Sequence, residues 1–147
     1  MTIEDRILLP LASITDAQRT VEALIAVYAD ADYRPLVIPM HIIEKGDGSI
    51  DRLPVNAQKG QAAELFTYAI EELEAAGFEV APALFYGSNV VDTIIEAATD
   101  DGASAIVFLP REGGRLSRFL TGDRPTRLIM ESPIPVITLP QPTAQSD

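Results

Sequence analysis

No cysteine occurs among the 147 residues, which excludes disulfides, a thiolate nucleophile and cysteine-ligated zinc. Tryptophan is absent, histidine appears once (His41), and the lysines are Lys45 and Lys59 alone. No apolar run approaches the roughly 18 residues of a membrane span, so no membrane insertion is expected. The opening MTIEDRILLP lacks the charged, apolar and small-residue sections of a signal peptide. A cytoplasmic location is therefore expected.

Basic residues are scarce. Asp and Glu total 22 against 11 Lys and Arg, a net charge of -11. That negative field argues against nucleic-acid binding, which needs a basic face. An acidic, lysine-poor surface suits a high-salt solvent, where screening quiets repulsion between carboxylates. An acidic protein of ordinary surroundings is the alternative.

What is present is a core. Hydrophobic residues make up 47% of the chain, enough for one globular domain. The reading is one domain over 1–140 with a loose tail over 141–147. Strand and helix patterns alternate, which predicts an α/β fold with a parallel sheet. Arg6 to Leu11 reads as a buried strand. Thr15 to Gln18 suggests a capping box for a helix bearing Val21, Leu24, Ile25 and Tyr28. Leu36 to Ile43 is a second strand, with Pro39 marking an irregularity or an unpaired N–H position. Asn56 to Ala76 is a long helix stopped by Gly77. Phe78 to Phe85 is a third strand, followed by a helix capped at Ser88 or Asn89 and ended by Gly102. Ser104 to Leu109 is a fourth strand, Arg124 to Glu131 a short helix, and Pro135 to Leu139 a fifth strand. With right-handed crossovers the expected class is a doubly wound open five-stranded sheet, order 3-2-1-4-5, with helices on both faces.

That order puts the switch point between the first and fourth strands, so Pro10–Ser13 faces Leu109–Arg115 across a crevice. The second segment is unusual. Leu109 to Arg127 holds five of the nine arginines (Arg111, Arg115, Arg118, Arg124 and Arg127) and the pair Gly113-Gly114. Clustered arginine at the end of a strand suggests an anion site; balancing of neighbouring carboxylates is the equal alternative.

The chain resembles the universal stress protein family over about Asp5 to Pro140. The resemblance rests on Ile7-Leu8-Leu9-Pro10, His41-Ile42-Ile43, Gly77-Phe78-Glu79-Val80, Ala103 to Val107, Arg115 to Gly122, and Ser132-Pro133-Ile134-Pro135-Val136 in that order. It implies a cytoplasmic homodimer joined through the last strand (Pro135, Val136, Ile137, Thr138, Leu139), acting in stress response, with ATP bound by some members. A protein partner is also open. The ATP-binding branch carries G-x2-G-x9-G-S/T after the fourth strand. Aligned on Gly122, its first glycine falls at Leu109, its second at Glu112 and its Ser/Thr at Asp123. The acidic residue expected to hold the ribose falls at Ala12. Pro10, Leu11 and Ile42 remain available for an apolar base pocket.

Those departures have physical consequences. The family's phosphate site uses N–H groups at a helix N-terminus. At about 4 Å and an effective dielectric of about 20, Asp123 beside a phosphate costs on the order of 4 kcal/mol per like-charge pair. Glu112 blocks the close backbone approach that glycine permits. Pro125 removes an N–H, and Asp123 is better read as a helix N-cap. Against this, Arg111, Arg115 and Arg124 can offset the carboxylates and grip an anion. The candidate ligand-binding residues are thus Pro10, Leu11, Ala12, Ile42, Arg111, Gly113, Gly114, Arg115, Gly122, Asp123 and Arg124. ATP or another nucleotide is the cofactor the resemblance offers, with weak or no binding by the family's usual mode.

No other group assembles into a catalytic constellation. His41, at a strand end, reads first as a partly buried, hydrogen-bonded imidazole and second as a proton shuttle or metal ligand. Glu44, Asp47 and Asp51 read as acidic surface, and Ser13 and Ser117 have no evident base. Glu71, Glu72 and Glu74 read as a solvated helix face. The leading expectation is a non-catalytic stress-response or regulatory module. The alternative is a nucleotide or small-anion binder using the crevice. A slow hydrolase acting on bound nucleotide is the weakest of the three.

Overall fold

The computed structural model describes residues 5–44, 55–110 and 123–141. An unbroken apolar run makes β1 (Arg6–Pro10) a central strand, with Ile7, Leu8 and Leu9 wholly buried. Burial on both faces is what a parallel strand requires. Next come α1 (Ile14–Val27), β2 (Leu36–Glu44), α2 (Val55–Ala75), β3 (Glu79–Val80), β4 (Ala83–Gly87), α3 (Val90–Asp100), β5 (Ala105–Phe108), α4 (Arg124–Glu131) and β6 (Val136–Thr138).

The strands pair in parallel in the order β3-β2-β1-β5-β6, with β4 also pairing β2. The α/β class with a parallel sheet is as expected. The single third strand is not: it divides into β3 and β4. Register explains the division. Leu36 donates to Asp5 and Met40 accepts from Leu11, so even-numbered β2 residues face β1; Val37 accepts from Ala81, so odd-numbered ones face β3 and β4. The missing N–H of Pro39 therefore falls on the second side. The ladder there passes from Val37↔Val80 to Met40↔Ala83, skipping Ala81 and Pro82 opposite Ile38 and Pro39.

Helices cover both faces. Ile7, Leu9 and Leu11 pack with Val21 and Leu24 of α1 and Leu65, Ala69 and Leu73 of α2. Leu8, Ile38, Met40 and Ile42 pack with Val91, Ile94 and Ala98 of α3 and Leu128 of α4. The last strand pairs only with β5 among the described residues, so it forms one edge of the sheet. Bonds from Ile106 N–H to the Pro135 carbonyl (2.9 Å) and from Leu139 N–H to the Phe108 carbonyl (2.8 Å) extend its pairing. Of the expected tail, Gln141 alone is described, and its amide donates to the Pro110 carbonyl.

Caps set the helix ends. The first helix begins earlier than Thr15: Ser13 is its N-cap, and the Ser13 hydroxyl accepts from the Asp16 N–H at 3.1 Å. Asn89 caps α3 by accepting from the Asp92 N–H at 3.0 Å. Gly77 (φ +95°) and Gly102 (φ +67°) end α2 and α3 with the same pair of bonds. Phe78 and Gly77 donate back to Leu73 and Glu74, and Ala103 and Gly102 to Ala98 and Thr99, which is the Schellman arrangement. Arg34 adds a further tie on α2, donating from Nε to the Ala76 carbonyl at 3.1 Å while its guanidinium lies 5.4 Å from the Phe78 ring centre. Among the described residues no helix is long and apolar enough to cross a membrane.

Candidate functional site

The sheet opens at its C-terminal edge. Pairing between β1 and β5 runs from Ile7↔Ala105 to Leu8↔Ile106 and stops. Beyond that point β1 stays with β2 through Pro10↔Met40, and the Leu11 N–H reaches the Met40 carbonyl at 2.8 Å. Meanwhile β5 stays with β6 through Phe108↔Thr138. The two strand ends follow different neighbours, and the gap between them is the switch-point crevice, where open α/β sheets take ligands.

The residues picked out by sequence distribute around this gap unevenly. Pro10, Leu11, Ala12 and Ile42 are all buried at the ends of β1 and β2. Leu11 belongs to the core under α1 and α2, whereas Ala12 and Ile42 belong to the core under α3 and α4. Leu11 and Ile42 thus lie on opposite faces. Asp123 is exposed and Arg124 half-buried at the start of α4. Arg111, Gly113, Gly114, Arg115 and Gly122 lie outside the described residues, as do Glu112, Arg118 and the loop bearing Asp47 and Asp51.

Asp123 occupies the N-cap position, but its side chain makes no capping bond. Its backbone (φ -93°, ψ 2°) is not the extended form from which a cap side chain reaches N2 or N3. Arg127, from the arginine cluster, pairs with Glu131 on its own helix at 3.1 Å. For that one residue, balancing a carboxylate is what the geometry records.

The turn after β1 is fastened by a group the sequence reading passed over. One oxygen of the Asp16 carboxylate accepts from the Ala12 N–H at 2.8 Å, and the other from the Thr20 hydroxyl at 3.3 Å. The carboxylate is buried, so these bonds offset its desolvation. The available signal was the spacing Ser13-x-x-Asp16, a capping box shifted two residues from the one assumed. Ala12, where the family places a ribose-binding acid, offers a methyl group.

His41 is buried at the end of β2, and its Nδ1–H donates to the Leu11 carbonyl at 2.8 Å. Burial pushes its pKa below the usual imidazole value; the Leu11 bond, Glu44 and Asp16 pull the other way without restoring it. A cavity of about 150 Å³ adjoins the ring, walled by Ala12, Ser13, Ile14, Gln61, Glu64 and Leu65. Ser13 and His41 thus share a wall, which chain order did not suggest. The Ser13 oxygen is already engaged as the helix cap and His41 Nδ1 with a carbonyl, so the arrangement holds backbone in place. Across the sheet, Gly87 ends β4 where an added Cβ would meet Thr93 Oγ1, whose hydroxyl donates to the Asn89 carbonyl at 2.7 Å. Among the described residues no cluster of His, Asp and Glu is placed to hold a metal.

Comparison with known proteins gives a consistent answer. The model of the universal stress protein family matches residues 4–140. A search of curated proteins finds no match. Among solved structures, a protein of that family from Burkholderia pseudomallei is similar with a TM-score of 0.70 and 22% identity, over 95% of this chain and 98% of that one. The universal stress protein from Archaeoglobus fulgidus in complex with dAMP is similar at a TM-score of 0.62 and 19% identity, over 95% of this chain and 100% of that one. A universal stress protein in complex with cAMP is similar at 0.63 and 18%, over 94% and 98%. At these identities the likeness concerns the fold.

Proposed function

Because the chain belongs to the universal stress protein family, we propose that it is a non-catalytic stress-response or regulatory module. In this reading it works in the cytoplasm as a homodimer and binds ATP weakly or not at all. The observation that carries the weak-binding reading is the turn after β1. Ala12 has no side-chain group to offer a ribose, and its own N–H is held by the Asp16 carboxylate. The uncapped Asp123 at the start of α4 adds negative charge where a phosphate tail would end.

The dimer reading is supported by the edge position of β6, whose outer side, unpaired among the described residues, is a template for a second strand. The preceding helix also leaves Ile129 and Met130 exposed, Met130 at 77%, which is apolar surface that an interface can cover. The acidic, lysine-poor composition supports a high-salt cytoplasm as its setting.

Calorimetry with Mg-ATP at high salt tests the first part; a low-micromolar dissociation constant overturns it. Sizing at micromolar concentration tests the second, and a clean monomer there contradicts the dimer.

A second reading is favoured by the dAMP and cAMP complexes of two similar structures. In it a nucleotide or small anion sits between Pro10–Ser13 and the arginine-rich segment ending at Arg124. Arg115→Ala with Arg124→Ala separates the two readings. Lost ligand affinity supports the binder, and lost partner association with no ligand supports the module.

A further inference from the structure

The outer seam between α1 and α2 contains a groove of about 360 Å³, lined by Gln18, Val21, Glu22 and Ile25 on one side and Tyr68 and Glu72 on the other. Gln18 and Glu22 stand one turn apart on α1, as do Tyr68 and Glu72 on α2, so each pair forms a continuous bank. Ile25, half-buried over the fully buried Val21, makes the apolar floor. Burial pushes the Tyr68 hydroxyl above the usual tyrosine range, and Glu72 and then Glu22 push it further. Both carboxylates therefore lie within electrostatic reach of the same phenol. Among the described residues neither Glu22 nor Glu72 forms an ion pair.

Two acids and a phenol around an apolar floor complement a cation carried on an apolar stem. An arginine side chain matches this best. Its methylenes can lie along Ile25, its planar fork can bond two carboxylates, and its face can stack on the Tyr68 ring. We propose that this groove docks a partner protein through an arginine in a short segment of that partner. The proposal depends neither on the crevice between β1 and β5 nor on the β6 edge.

The test uses the full chain, labelled with nitrogen-15, at low ionic strength. It is titrated with a blocked Ala-Leu-Arg-Leu-Ala peptide and with the same peptide carrying citrulline, which keeps the shape and removes the charge. The expected result is saturable amide shifts confined to 18–25 and 68–72. The citrulline peptide, and the double variant Glu22→Gln/Glu72→Gln with the arginine peptide, bind at least about tenfold more weakly. Glu71→Gln, exposed on the same helix outside the groove, binds like the unaltered protein. Equal affinity for the two peptides, shifts centred elsewhere, or no saturation by about 10 mM peptide overturns the proposal. So do concentration-dependent shifts at the groove without peptide, which would identify a second copy of the chain as its occupant.

Discussion

The imidazole of His41 donates from Nδ1 to the carbonyl oxygen of Leu11 across 2.8 Å. The N–H of Leu11 is meanwhile bound to the carbonyl of Met40. Both polar groups of Leu11 are therefore held by neighbouring residues of β2, one through backbone and one through a side chain. This clamps the tip of β1 beyond the point where β5 leaves it. A strand end at an open crevice would otherwise present a buried carbonyl without a partner, at a cost of about 1–3 kcal/mol.

His41 should give the protein a specific pH dependence. Burial holds its folded pKa below the ordinary 6.5. As pH falls below that ordinary value the unfolded chain takes up the proton first. Its contribution to stability is thus complete above 6.5 and is lost as pH falls from there through the lowered folded value. Urea unfolding between about pH 7.5 and pH 5 measures it. His41→Asn, which keeps a donor near Nδ1, should show a shallower decline over this range; identical slopes for the two proteins count against the clamp's titration.

Asp16 should matter more than Ser13, although Ser13 is the residue that caps the helix. Ser13→Ala removes one cap bond and should cost about 1 kcal/mol. Asp16→Ala leaves the Ala12 N–H without its carboxylate and also frees the Thr20 hydroxyl, and should cost about 1–3 kcal/mol. Denaturant midpoints give the order, and an Asp16 variant as stable as the Ser13 variant would show that the turn after β1 is held by other means.

Gly87 should be replaceable only when Thr93 is replaced with it. A methyl group at Gly87 would collide with Thr93 Oγ1, an overpacking expected to cost about 1–3 kcal/mol. In a double-mutant cycle, Gly87→Ala with Thr93→Ala should lose less than the two single changes summed. Strict additivity would mean that the β4–α3 turn moves aside instead.

Salt should stabilise the fold. With a net charge of -11, self-repulsion opposes the compact state, and salt screens it: at roughly 0.1 M ionic strength exposed charges more than about 10 Å apart scarcely interact, and at higher salt the reach shrinks further. Melting temperature should climb as salt is raised into the molar range. A melt that does not shift with salt removes the high-salt reading of the composition.

Much of the architecture could be read from local signals. Ile7-Leu8-Leu9 is too apolar to belong anywhere but a strand covered on both sides. Gly77 and Gly102 sit where the helical pattern ends and adopt the left-handed backbone that such ends require. Asn89, Asp123 and Gly122 show where local reading thins out. Asn89 caps as expected from its side chain; Asp123 has the same chemistry but a backbone that turns it away; and Gly122, the anchor of the motif alignment, lies outside the described residues. The cap lies at Ser13, although Thr15 offers the same hydroxyl two residues later; both spacings fit the capping pattern, and the folded backbone selects the first.

Chain order and hydrophobic period were enough for the class of fold, the helix stops and the family, since each rests on neighbours within a few residues. Tertiary packing alone parted β1 from β5, put Leu11 and Ile42 on opposite faces, brought His41 to the Leu11 carbonyl, and set Pro39, whose irregularity the sequence marks, against the point where the third strand divides. Each of those depends on register between segments about 30 or more residues apart. A shift of one residue there reverses which side chain faces which core, and nothing in the local pattern records it.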